Sequence, residues 1–194
     1  MKKFKPSWKG RLTMAQRAGK FAAAVGCSGG KLARRKIARE ELTGDCRKAL
    51  AEHPEGILEC RWGCIGLGSC AAACKLGAIK VGERGVAEVD RDKCVGCGLC
   101  VKACPQGIIR LVPREQNIVV GCSSRDSGPE TRKACDAGCI ACGICVKNCP
   151  MGAIRLEDNH PVIDESLCVS CGMCASKCPR GVIKDVYGIL GPQA

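Results

Sequence analysis

Three runs of cysteine dominate the chemistry open to this chain: Cys94, Cys97, Cys100 and Cys104; Cys139, Cys142, Cys145 and Cys149; and Cys168, Cys171, Cys174 and Cys178. Each has gaps of two, two and three residues, and proline follows the last cysteine at Pro105, Pro150 and Pro179. The spacing suits a four-iron cubane, which needs one thiolate per iron. Two-residue gaps let a tight loop aim three sulfurs at one cluster. The three-residue gap continues into a helical turn that carries the fourth thiolate to a neighbouring cluster. Proline ends that turn, because it has no N–H and restricts the residue before it.

Other uses of cysteine fit less well. The only histidines, His53 and His160, lie outside the runs, each beside a proline. Structural zinc gathers two cysteine pairs, or cysteines with histidines, rather than three cysteines two apart and a fourth before proline. No convincing secretory signal leads the chain to an oxidising compartment, which argues against a disulfide scaffold.

A fourth run is irregular. Cys60-Arg-Trp-Gly-Cys64-Ile-Gly-Leu-Gly-Ser-Cys70-Ala-Ala-Ala-Cys74 aligns without gaps on the stretch from Cys135 through Cys139 and Cys142 to Cys145. Leu67 then stands where the second copy has Cys142, and Cys60 is the nearest thiol able to replace the missing ligand. Cys27-Ser and Cys122-Ser also correspond, so the chain reads as a duplication of a longer unit. With fourth cysteines exchanged, four [4Fe-4S] clusters are expected. Cluster one takes Cys60, Cys64, Cys70 and Cys104; cluster two takes Cys74, Cys94, Cys97 and Cys100. Cluster three takes Cys139, Cys142, Cys145 and Cys178; cluster four takes Cys149, Cys168, Cys171 and Cys174. Cys27, Cys46, Cys122 and Cys135 are left over: inert, disulfide-bonded or ligands of a fifth cubane. Four clusters are the expectation, because the leftover spacing matches no cluster run.

Composition points the same way. Among 194 residues there are 20 cysteines and 25 glycines but only 3% aromatic residues. An ordinary core is hard to build from these, whereas buried clusters would supply bulky bodies around which short segments pack, with folding energy coming from the ligated metal. The formal charge is +12, and residues 1–39 hold twelve Lys or Arg and no acid, leaving 19 basic and 19 acidic residues beyond. Each oxidised all-cysteine cubane adds about −2. The chain therefore reads as a basic arm joined to an acidic, electron-carrying body.

The expected fold is α+β: two tandem dicluster modules at 60–121 and 122–187, a mostly helical basic arm at 1–59 and a short tail at 188–194. Met14, Ala18, Phe21 and Val25 fall three or four apart, predicting an amphipathic helix over 11–25. It would either dock on an anionic membrane or partner, or pack on the body. A second basic helix is expected over 31–42, then a short one capped by Asp45. No apolar run reaches the length of a transmembrane helix. Hairpins are expected from Ala78–Val81 with Val86–Val89, from Ala153–Leu156 with Pro161–Ile163, and from Gly107–Leu111 with Asn117–Val120. Residues 123–131 are expected to be a loop.

The regular runs resemble bacterial ferredoxins. More specifically, Cys60-x-x-Gly-Cys64-Ile-Gly-Leu-Gly-Ser-Cys70, Cys122-Ser-Ser-Arg-Asp-Ser-Gly128 and Cys135-x-x-Gly-Cys139-Ile-x-Cys142 resemble the B subunit of Rnf-type electron transport complexes. Asp45-Cys46 and Cys27-Ser-Gly-Gly30 extend the resemblance over about residues 25–187. It implies electron relay at the cytoplasmic face of the membrane, from reduced ferredoxin to further subunits, coupled in that family to sodium or proton transport and NAD reduction. In the family a membrane anchor and another four-cysteine domain come first. Here the basic segment stands in the anchor's place, or the chain is a shortened or repurposed relative.

The functional expectation is thus relay of single low-potential electrons, with other electron-transfer proteins as partners. The alternative is a subunit feeding a flavin or metal centre in a soluble oxidoreductase. No phosphate-binding glycine loop at a strand–helix junction and no catalytic histidine constellation suggests an active site in the chain itself. Nucleic-acid binding through the arm is disfavoured by its few aromatic residues and the lack of a recognised binding module.

Overall fold

Short apolar blocks bounded by glycine give short strands. The computed structural model describes residues 19–188. Strand β1 (Phe21–Val25) pairs antiparallel with β4 (Ile109–Pro113), with Ala23 opposite Leu111. Between them, β2 (Ile79–Val81) and β3 (Ala87–Val89) form a hairpin. The second half repeats the plan. Strand β5 (Ile118–Val120) pairs with β8 (Ile183–Asp185), enclosing the hairpin of β6 (Ile154–Glu157) and β7 (His160–Ile163).

Helix α1 (Cys46–Glu52) begins at Asp45, whose Oδ1 accepts from the backbone N–H of Arg47 and Lys48 at 2.9 Å each. Four shorter helices hold the third cysteine of each run: α2 (Ser69–Ala72), α3 (Leu99–Ala103), α5 (Ile144–Lys147) and α6 (Met173–Ser176), with α4 (Gly128–Ala134) falling between α3 and α5 in the chain. Each of the four starts from a left-handed glycine, Gly68, Gly98, Gly143 or Gly172, at φ +84°, +75°, +72° and +74°. A side chain disfavours that conformation, and it turns the loop sharply enough to bring the following cysteine beneath the preceding ones.

The core is built around sulfur. Cys70, Cys94 and Cys100 are buried with Ala22, Ala23, Ile79 and Ile109 in the first module. Cys145 and Cys174 are buried with Ile118, Ile154 and Ile183 in the second.

Several expectations are corrected. The helix predicted over 11–25 lies outside the described residues as far as residue 18, and Phe21–Val25 is a strand. Alanine favours helix, but Ala22, Ala23 and Ala24 are all at most 5% exposed. Pairing with β4 therefore overrides local propensity. It also ties residues of the expected arm to a strand of the first module. Residues 31–42 form no basic helix; they hold two 3-10 turns and an extended stretch in which Ala33 bridges Cys135 and Arg35 bridges Leu58. The segments around 107–111 and 117–120 do not pair with each other, since each finds its partner in a terminal strand of its own module. Part of the expected 123–131 loop belongs to α4, where Ser127 and Glu130 form a capping box.

Candidate metal centres

The regular runs collect as their spacing requires. Cys74, Cys94, Cys97 and Cys100 line one cavity, together with Ala23 and Leu99. Cys139, Cys142, Cys145 and Cys178 line another, beside Pro179 and Val182. In each, three sulfurs come from one run and the fourth from the other run of the same module. Cys149, Cys168 and Cys174 also converge: burial pushes the Cys174 thiol up to about 12, and Cys168 and Cys149 stand among its like-charged neighbours. Cys171 lies exposed in the same run.

A third cavity groups the cysteines differently from the expected ligand set. It is lined by Cys46, Cys64, Cys70 and Cys104, and Cys60 does not line it. Helix α1 delivers Cys46: its N–H donates to the Ser69 hydroxyl at 2.9 Å, pinning the start of α1 against α2. The Cys70 thiol, pushed up to about 11 by burial, is next influenced by Cys104 and Cys46. Proximity in sequence favoured Cys60, but proximity in space favours Cys46. The duplication held the missing signal. Cys60 has a counterpart in Cys135, which no dicluster run needs, whereas Cys46 has no counterpart and lies in an insertion between Cys27 and Cys60.

Cys60 lies instead with Cys27, Cys122 and Cys135 where the modules meet. Burial pushes its thiol up to about 12, and the charged neighbours that add to this are Cys122, Cys27 and Cys135. The four cysteines gathered here differ from the expected leftover set of Cys27, Cys46, Cys122 and Cys135 at one position, with Cys60 in place of Cys46.

The donor sets fit [4Fe-4S] clusters. Each cavity presents four thiols among apolar side chains. Among the described residues no three His, Cys, Asp or Glu side chains are grouped to hold a single ion. Tetrahedral zinc draws its sulfurs to about 2.3 Å from one centre, while a cubane holds them farther apart at its corners. Backbone N–H groups already point at several sulfurs: Ala78 donates to Cys74 Sγ, Ala153 to Cys149 Sγ and Val182 to Cys178 Sγ, each at 3.3 Å. Ala23 N–H donates to Cys94 Sγ at 3.4 Å and the Gln116 side-chain amide to Cys168 Sγ at 3.3 Å. Such bonds favour thiolates and raise the potential of a cluster they ligate.

Comparisons with known proteins agree with this chemistry. The 4Fe-4S dicluster domain family matches residues 61–111, 87–150 and 138–182. The B subunit of the proton-translocating ferredoxin:NAD(+) oxidoreductase complex of Clostridium ljungdahlii is 41% identical over 146 residues, covering 68% of this chain and 51% of that protein. The B subunit of the Na(+)-translocating complex of Acetobacterium woodii is 43% identical over 91 residues, covering 47% of this chain and 27% of that protein. The B subunit of an ion-translocating oxidoreductase complex of Methanosarcina acetivorans is 43% identical over 79 residues, covering 41% of this chain and 30% of that protein. The chain thus spans about half the length of the first of these relatives and less of the others. Among the described residues no helix is long and apolar enough to cross a membrane.

Proposed function

From the premise that this chain belongs to the 4Fe-4S dicluster proteins and is a relative of the B subunits of ion-translocating oxidoreductase complexes, we propose that it relays single electrons within a membrane-associated complex of that kind. The observation that carries this reading is the convergence of four cysteines on each of three cavities, two in the first module and one in the second.

We assign the ligands as follows. Cys46, Cys64, Cys70 and Cys104 hold cluster one, and Cys74, Cys94, Cys97 and Cys100 hold cluster two. Cys139, Cys142, Cys145 and Cys178 hold cluster three, and Cys149, Cys168, Cys171 and Cys174 hold cluster four. Each cluster supplies reversible one-electron chemistry when bound. The chain's own residues hold and tune it. Buried alanine, valine and isoleucine exclude water, and backbone N–H groups stabilise the thiolates. Cys97, Cys142 and Cys171, the second ligands of the three regular runs, are exposed and give a partner close approach.

In this reading reduced ferredoxin is the donor, other electron-transfer subunits are the acceptors, and the site of action is the cytoplasmic face of the membrane. The names of the relatives, a ferredoxin:NAD(+) oxidoreductase complex in two cases, support ferredoxin as the donor. The test mixes anaerobically purified chain with reduced ferredoxin and follows its visible absorbance. Rapid bleaching, reversed by an oxidant, is expected. No electron uptake, or sustained turnover of a substrate by the chain alone, would overturn the carrier reading.

A further inference from the structure

The four cysteines outside the dicluster sites meet at one place, though they come from distant parts of the chain. We infer that Cys27, Cys60, Cys122 and Cys135 bind a fifth [4Fe-4S] cluster at the junction of the two modules. This extends the electron-carrier reading, since a cluster here would join two otherwise separate pairs.

The geometry brings the four together through independent contacts. A Cβ at Gly29 would stand 3.1 Å from Cys135 Sγ and 3.7 Å from Cys27 Sγ, so sulfurs from opposite modules flank a single point. Ala33 bridges Cys135 in the backbone, and Asp136 N–H donates to the Leu32 carbonyl at 2.9 Å, fastening the segment after Cys27 to the Cys135 loop. Ser28 Oγ donates to the Gly121 carbonyl at 2.8 Å, placing the Cys27 and Cys122 turns side by side. Cys60 takes its charged neighbours from the other three. Cys60, Cys122 and Cys135 are buried, and Cys27 is half-buried.

The site is dressed as a cluster site. Cys64 N–H donates to Cys27 Sγ at 3.3 Å, and both Ser124 and Cys139 N–H donate to Cys122 Sγ at 3.4 Å. The four sulfurs come from four separate segments of the chain. They also occupy equivalent places in the two repeats, each contributing one Cys-Ser turn and one Cys-x-x-Gly-Cys loop.

Its position gives it a role. Cys64 is assigned to cluster one and Cys139 to cluster three, and the amides of these two residues reach the new site by one hydrogen bond each. A cluster held here would therefore stand beside the sites assigned to clusters one and three. Electrons crossing between the modules would have it as an intermediate stop.

The test measures iron, acid-labile sulfide and zinc on the full chain after anaerobic reconstitution. About 20 irons per chain are expected if all five cubanes are present. Cys122→Ser should remove about four of them and leave the other clusters' spectra in place. About 16 irons in the parent chain, with or without one zinc, would overturn the fifth cluster while leaving the carrier reading intact. Near-zero iron would overturn both. Alkylation in denaturant without reductant keeps the question open to disproof should the variant misfold. Labelling of all 20 cysteines in the 20-iron protein supports the site, and fewer labels, indicating disulfides among the four, overturn it.

Discussion

The Ser28 hydroxyl donates to the Gly121 carbonyl across the seam between modules, at 2.8 Å. The bond is reciprocated: Ser123, the equivalent residue of the second repeat, donates to the Gly26 carbonyl, also at 2.8 Å. Each glycine in turn donates its N–H to the last strand region of its own module, Gly26 to Ile108 and Gly121 to Val182, at 2.7 Å each. The two Cys-Ser turns thus clasp one another about a pseudo-twofold relation. Ser28→Ala leaves a buried carbonyl without its donor, which costs about 1–3 kcal/mol. A thermal ramp following visible absorbance should show cluster loss at a lower temperature in Ser28→Ala. Ser123→Ala should show a smaller drop, because Ser123 is less buried. Since the two bonds hold one seam, the double variant should depart from additivity.

Cys46 and Cys60 should separate cleanly. Cys46→Ser is expected to abolish cluster one, seen as the loss of about four irons, while Cys60→Ser spares it. Leu67 occupies the position at which the second module has Cys142. Leu67→Cys should therefore restore cluster one in the Cys46→Ser background. Electron paramagnetic resonance of the reduced proteins checks both outcomes, and failure of the rescue would mean that Leu67 does not face the cluster.

Ligand exchange within a module makes a further distinction. Cys104 follows the run that serves cluster two, yet it lines the cavity of Cys64 and Cys70. Cys104→Ser should damage cluster one and retain cluster two. Cys178→Ser should likewise damage cluster three rather than cluster four, because Cys178 lines the cavity of Cys139, Cys142 and Cys145.

Gly96 carries a packing constraint as well as a conformational one. It sits at φ +70°, and a Cβ there would lie 2.5 Å from the Phe21 carbonyl oxygen. Gly96→Ala should push β1 off the cluster-two loop and lower occupancy of that cluster. Gly107 provides the control: it has φ +63°, but a Cβ added there would meet nothing within 4 Å. Gly107→Ala should cost only the conformational term of about 1–2 kcal/mol and keep full iron content.

Removing iron should unfold the chain. Cys70, Cys94 and Cys100 are buried members of the first core, and Cys145 and Cys174 of the second. Without clusters these cores lose their central bodies, so oxidation in the presence of a chelator should collapse the far-ultraviolet circular dichroism signal as the visible absorbance bleaches. An apoprotein with native secondary structure would refute this coupling.

Much of the metal chemistry was legible in the chain itself. Where three ligands lie on one loop, as in Cys94, Cys97 and Cys100, local covalent geometry brings the sulfurs together whatever the rest of the chain does. The duplication, the two hairpins and the Asp45 cap were readable for the same reason, because each depends on residues close in sequence. Tertiary structure decided the rest. Phe21–Val25 became a strand only because β4, far along the chain, offered unpaired backbone groups. Cys46, and not Cys60, lines the cavity of Cys64, Cys70 and Cys104 because α1 folds back on Ser69. Cys27, Cys60, Cys122 and Cys135 met because the two Cys-Ser turns bond to one another through Ser28 and Ser123. In each case the controlling contact joins residues widely separated in sequence, and spacing along the chain carries little information about contacts made across it.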